Sequence, residues 1–335
     1  DLDDNELSVS VDGTDKGKAW DITANIEYTP SSTVYNSSSV IYNFGQDSTF
    51  AGTETATSNA DENGFGTFHS AVPSGYLALC SANLPEPLIG PNSDTQATDH
   101  FNTVLYTGNA SGQTITGVGF QPDWSWNKNR AATDFHLLQD SSRGAGKEIF
   151  SNSDADEESY STSITSWNSD GFVLGDREPI NANNEAYVSW NWKANGATTS
   201  TVTDGTINST VQTNTAAGFS IVTWTGDGDQ ATIGHGLGVK PSWIIAKSRN
   251  VAGDWRVWHQ TLLAAQYMTL NLPATAGNSN SVWGTSPAQN ATTFSIGTNT
   301  DVNQNTKLYV AYCFVEKEGY SKFGSYTGNG AADGT

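Results

Sequence analysis

The sequence predicts an all-β chain built from tandem β-sandwich modules of jelly-roll or concanavalin-like type. Three observations carry that prediction. Apolar and polar residues alternate over short runs such as Leu7-Ser8-Val9-Ser10-Val11, and a strand is what turns every second side chain to one face. The composition joins 33 Gly with 11 Trp, 12 Tyr and 13 Phe at only 15% charged residues, too aromatic for disorder and too glycine-rich for helices. The chain also repeats itself: Gly117-Val118-Gly119-Phe120-Gln121-Pro122-Asp123-Trp124 returns as Gly236-Leu237-Gly238-Val239-Lys240-Pro241-Ser242-Trp243, about 119 residues on.

Residues 1–90 form the first unit. Leu2, Leu7, Val9 and Val11 alternate up to a hairpin signal at Asp12-Gly13, Trp20, Ile22 and Ile26 continue the pattern, and Val40–Gly45 reads as a further strand. Three prolines in Leu84–Pro91 forbid a helix or central strand and mark a stiff boundary, with residues 91–100 as linker. The first copy, residues 101–215, has strands at Thr103–Tyr106, Trp124–Asn127, Phe135–Gln139, Phe172–Leu174 and Ala186–Trp192, then a Ser/Thr-rich connector over Ala197–Thr215. The second copy follows at residues 216–323, with one helical stretch expected at Thr261–Thr269. Tyr106-Thr107-Gly108-Asn109, matched by Trp224-Thr225-Gly226-Asp227, appears again as Tyr326-Thr327-Gly328-Asn329, so residues 324–335 read as the start of a third copy. That start, and a first residue other than Met, suggest a piece of a longer array.

The repeated residues have physical reasons. The glycine pairs relieve steric cost where the chain reverses. Pro122 and Pro241 suit the first position of an edge strand, having no N–H to give to a ladder. Trp124 and Trp243 read first as core and second as an exposed platform for stacking sugars. Lys128 and Lys247, followed by Arg130 and Arg249, recur at the far end of that strand, first to blunt edge pairing and second to serve an interface or an acidic glycan. The ligand-binding candidates are therefore Trp126, Lys128, Arg130, Lys247, Arg249 and Trp258.

A search for chemistry finds no catalytic set. Asp154-Ala155-Asp156-Glu157-Glu158-Ser159 reads as a solvated loop, with Asp154, Asp156 and Glu157 as a second, calcium-binding reading. Asp1–Glu6 and Asp227-Gly228-Asp229 read as turns before they read as calcium loops. The five histidines lack metal-ligand spacing, and no nucleophile elbow or phosphate loop occurs. No cofactor is expected, with calcium left open. Cys80 and Cys313 fit no disulfide framework, and Cys313 reads as a buried thiol. The net charge of −20 argues against nucleic acid, and no 18-residue apolar run is present to insert in a membrane.

Ile115–Asp123, Ser141-Ser142-Arg143-Gly144, Ser169–Gly175 and the passage from Tyr309 to Gly330 together resemble a domain of unknown function found in large structural proteins of tailed phages that infect marine bacteria. Asp1–Leu7 and Ile41–Gln46 resemble the C-terminal part of a SPRY-type or concanavalin-like sandwich. The resemblance implies a virion component, exposed on tail or capsid: a tail or head fibre or spike that binds itself, other virion proteins and a host glycan or protein. A capsid decoration protein, a bacterial extracellular filament or adhesin subunit, and a polysaccharide depolymerase stand as alternatives.

Overall fold

A computed structural model describes residues 6–11, 14–21, 40–83, 89–90, 93–284 and 288–330. The chain divides into two compact units, Asp1–Glu86 and Pro87–Thr335. In the first, β1 (Glu6–Val11) and β2 (Thr14–Asp21) pair antiparallel, with Val11 opposite Thr14. Asp1–Asn5, Ile22 and Ile26 lie outside the described residues. The strand expected at Val40–Gly45 does not form. The Asn43 side chain instead accepts from Gly45 N at 2.8 Å, and Gly45 takes φ 103°, so an Asx turn outcompetes the ladder there. Asp61 is this unit's anchor, its carboxylate accepting from the backbone of Phe65 and Ala78 and the side chain of Asn83.

The second unit holds both copies. The first comprises β3 (Phe101–Thr107), β4 (Gln113–Ile115), β5 (Trp124–Asn129), β6 (Leu137–Asp140), β7 (Lys147–Phe150), β8 (Glu158–Ser159), β9 (Ile164–Asn168), β10 (Gly171–Leu174), the one-turn helix α1 (Glu178–Asn181) and β11 (Ala186–Trp192). The hairpin β12 (Ser200–Val202) and β13 (Ser209–Asn214) precedes the second copy. That copy runs through β14 (Phe219–Thr225), β15 (Ala231–Gly234), β16 (Trp243–Ser248), β17 (Arg256–His259), β18 (Gln266–Thr269), β19 (Gly277–Asn278), α2 (Asn280–Trp283), β20 (Thr293–Ile296), α3 (Thr300–Asn303) and β21 (Leu308–Phe314).

The large sheets have the same order, β3-β11-β5-β6-β7-β8 and β14-β21-β16-β17-β18-β19, with β12 and β13 added outside β14. Each covers a small sheet, β4-β10-β9 or β15-β20, in which Phe172 opposes Ile115 and Phe294 opposes Ile233. All-β sandwich architecture is what the alternation predicted.

Alternation places three cores. Val104, Ile115, Leu137, Phe172 and Leu174 fill the first sandwich. Val222, Trp224, Ile244, Phe294, Tyr309 and Ala311 fill the second. The opposite faces of the two large sheets meet each other, burying Trp124, Leu138 and Ile149 against Ile221, Ile245, Tyr312 and Phe314. On β21 the division is residue by residue: Tyr309, Ala311 and Cys313 face inward, while Val310, Tyr312 and Phe314 face the other copy.

Two expectations need correction, and two further segments take a definite form. The Ser/Thr-rich connector carries a hairpin that extends the second sheet and buries Val211. Thr261–Thr269 is turn followed by β18, because Met268 and Thr269 pair with Val257 and Arg256. The strands after Pro122 and Pro241 are interior, not edge, strands. Each proline stands two residues before its strand, so its missing N–H falls just outside the ladder that begins with Asp123 N to Trp192 O and Ser242 N to Phe314 O. The phrase Tyr326–Asn329 takes no strand conformation, and Tyr326 is 95% exposed. In copies one and two the first two residues of the phrase end a strand, β3 or β14, which the copy's closing strand lies beside.

Candidate functional site

The two large sheets do not cover each other evenly. On the second copy, Ile221, Ile245, Val310, Tyr312 and Lys247 are all fully buried against the first. Strand registers match these to Thr103, Trp126, Val188, Trp190 and Lys128 of the first copy. There Thr103 is exposed, and Trp126, Trp190 and Lys128 are partly so. Leu105, beside Val188, is 64% exposed. One end of the first sheet thus presents a partly exposed aromatic face, in which Val188 stays buried and Trp126 also packs against the edge of the shared core.

Cross-strand pairing builds that face. Trp190 of β11 lies directly opposite Trp126 of β5 and Thr103 of β3. The two indoles meet edge to face with centroids 6.4 Å apart. Trp126 Nε1 donates to His136 Nδ1 at 2.9 Å, which fixes the ring and leaves the imidazole proton on Nε2. Burial, then the charge of Lys128, holds the His136 pKa below its usual value and favours the neutral acceptor. Lys128 Nζ donates to the carbonyls of Asn129 and Ala132, closing the adjoining loop. Arg130 is exposed at the end of the strand.

The other candidates lie elsewhere. Trp258 is buried in the second sandwich, with the Lys240 ammonium 5.3 Å from its ring centroid. Lys247 and Arg249 join the copies. Lys247 Nζ donates to the Asp154 carbonyl at 3.2 Å and to Ser248 O at 3.1 Å. Arg249 grips both oxygens of Glu157, at 2.9 and 3.1 Å. The buried Lys247 and the partly buried Arg249 are thus spent on joining the sheets.

Glu157 also receives Arg143 Nη1 at 3.0 Å. Arg143 is enclosed further by Asp140, the Leu138 carbonyl and the Tyr312 hydroxyl, and Tyr312 in turn donates to Asp140 at 2.7 Å. Burial pushes the Glu157 pKa up, but the Arg249 hydrogen bond and the Arg143 charge outweigh it and hold the carboxyl below its ordinary range. Glu157 is thus committed to two guanidinia, while Asp154 and Asp156 face solvent. Among the described residues, no cluster of three or more acidic, His or Cys side chains is placed to hold a metal. Asp227 caps a turn, accepting from Asp229 N and the Asn303 amide. Cys80 and Cys313 are free thiols, and burial pushes the Cys313 pKa up.

Sequence reasoning found Trp126 and Lys128 but missed Trp190, His136 and Leu105. The signal for Trp190 was available in the alignment of Tyr187–Trp190 with Tyr309–Tyr312. Which copy's face would stay open was not, because it depends on how the sheets are offset.

Fold and site together define an all-β protein of two intimately packed repeats, with an aromatic surface on one of them. Residues 96–335 match the family described as a domain of unknown function (DUF7483), and the chain belongs to that family. No curated protein and no solved structure matches it.

Proposed function

We propose that this chain is a structural module of a virion appendage, a phage tail or head fibre or spike, whose first repeat attaches to host-surface glycan. The observation that carries this reading is the aromatic face of Trp126 and Trp190, left open in one copy at the positions the other copy buries. Indole rings hold the C–H faces of sugars, and a neutral imidazole can hydrogen-bond their hydroxyls. The double sandwich is a rigid support for such a face. The resemblance to structural proteins of tailed phages supplies the setting.

The test has two arms. Mass spectrometry of purified particles should find this polypeptide, and its absence from them would remove the virion assignment. Titration of the full chain with host surface polysaccharide should show binding that Trp190→Ala weakens about tenfold, the size expected for losing one stacked ring at roughly 1.4 kcal/mol. Equal binding by wild type and variant would remove the face.

A further inference from the structure

A second cavity lies in the first copy, lined by Asp134 and Phe135, which immediately precede His136 of the tryptophan face. The loop before β6, the loop around β8 and the start of α1 enclose a groove of about 420 Å³, within the ~300–1,000 Å³ range of small-ligand sites. Its apolar wall is Phe135, 51% exposed, backed by the buried Phe150 with ring centroids 5.1 Å apart. Its polar wall is Asp134, Glu158, Tyr160 and Arg177.

The charges in that wall are unequal in availability. Arg177 is already engaged: its guanidinium lies 3.4 Å from the Tyr160 ring centroid and donates to the buried Glu148 at 3.2 Å. Glu158 and Asp134 are tied by one oxygen each, Glu158 Oε2 to the Tyr160 hydroxyl at 2.5 Å and Asp134 Oδ2 to the Asn129 amide at 2.7 Å. The groove therefore offers carboxylate acceptors beside an open aromatic ring, and its cation is answered from behind. Arg177 Nε is left without a partner, but the carboxylates of Asp134 and Glu158 outnumber this one cation, so the groove's net charge favours a cationic ligand.

The second copy does not repeat these residues. By strand register, Phe150 and Glu158 correspond to Thr269 and Gly277 of the second copy. Phe135, two residues before its strand, corresponds to Asp254, and Arg177, capping α1, to Asn299, capping α3. At these four positions the second copy has no aromatic ring and no Glu or Arg, although Asp254 puts a carboxylate at one of them and Arg256 lies over Tyr267 nearby. The set is special to one copy, as a ligand site is and a packing requirement is not.

We infer that this groove binds a primary-amine-bearing sugar, its ring stacked on Phe135 and its ammonium between Asp134 and Glu158. An ammonium gains both from carboxylates and from the face of a neighbouring ring.

The test is calorimetric titration of the full chain with a short glucosamine oligomer and with its N-acetylated counterpart, which has the same ring and no charge. The glucosamine oligomer is expected to bind and the acetylated one to bind at least tenfold more weakly. Glu158→Gln, which still accepts from Tyr160, is expected to weaken binding about tenfold, with Phe135→Ala weakening it comparably. Both positions are partly or largely exposed, so folding is preserved, and an unchanged melting temperature checks this. Trp190→Ala leaves this binding intact, which separates the groove from the tryptophan face. Equal affinity for the two oligomers, no binding of the glucosamine oligomer, or indifference to Glu158→Gln would each overturn the inference.

Discussion

Lys247 shows what a single residue reveals about the contact between the copies. Its side chain is fully enclosed, and burial pulls its pKa down to about 8 against the opposing influence of Asp301, Asp156, Asp154 and Asp254. An unfolded lysine titrates near ~10.4. Between those values the unfolded chain binds the proton more fully than the folded one, so folding stability rises with pH across that window. Below about pH 8 the cost of enclosing the charge is felt in full. Denaturant titrations at pH 7.5, 8.5 and 9.5 should therefore show wild type gaining stability relative to Lys247→Met as pH rises. Tyrosines and Cys313, whose pKa values burial raises, contribute equally to both proteins and cancel in the difference. A difference that stays flat over this range would mean that the ammonium is not desolvated. His136 is the complementary case, kept neutral so that it can accept from Trp126.

At the scale of elements, the repeat is explained by a turn that closes each copy. Tyr187 accepts from Ala182 N and donates to the Glu178 carbonyl, spanning α1. Tyr309 does the same across α3 with Gln304 N and the Thr300 carbonyl. Each tyrosine stacks on the aromatic residue of its copy's first strand, Tyr106 at 5.0 Å and Trp224 at 5.3 Å. Gly108 and Gly226 follow those first strands because nothing larger fits. A Cβ at Gly108 would stand 2.1 Å from the Ala182 carbonyl oxygen, and one at Gly226 would stand 2.5 Å from that of Gln304. Gly108→Ala and Gly226→Ala should each force backbone apart and cost about 2–3 kcal/mol, measured by urea denaturation, with similar losses at the two sites. A cost below ~0.5 kcal/mol, the range of an ordinary surface change, would show that the closing turn yields easily. Strands with strong alternation, such as Ala186–Trp192, were legible in the sequence because one residue in two meets a core. The hairpin at Ser200–Asn214 was not. Its Thr and Ser residues resemble loop chemistry, and only Val202, Ile207 and Val211 hint at a buried side. The open tryptophan face was half legible: Trp126 could be singled out, but Trp190 became its neighbour only through the pairing of β5 with β11.

For the second unit as a whole, the decisive feature is that the two repeats share a core instead of merely following one another. Trp124 occupies its centre, with ring centroids 4.2 Å from Tyr312, 4.3 Å from Trp192 and 5.8 Å from Phe219. Trp255 adds a buried hydrogen bond from Nε1 to the Phe150 carbonyl at 2.7 Å, and Gly253 N and Lys247 Nζ both reach the Asp154 carbonyl. Beads on a string would open independently, with stability set repeat by repeat. Here each large sheet has both faces buried over most of its area, so opening one copy strips a core face from the other. Trp124→Ala should therefore cost about 3–5 kcal/mol and be felt in both copies. The measurement is native-state hydrogen exchange on peptides spanning Phe172 in β10 and Phe294 in β20, which lie in the separate inner cores and touch no part of the shared one. In wild type the slowest amides of both peptides should open with one common free energy, and Trp124→Ala should lower both by the same amount. Faster exchange confined to the peptide around Phe172 would instead mean that the copies are independent domains in contact. In that case the ion pairs of Glu157 with Arg143 and Arg249 would be a surface adhesion, and no longer the polar part of one folding unit.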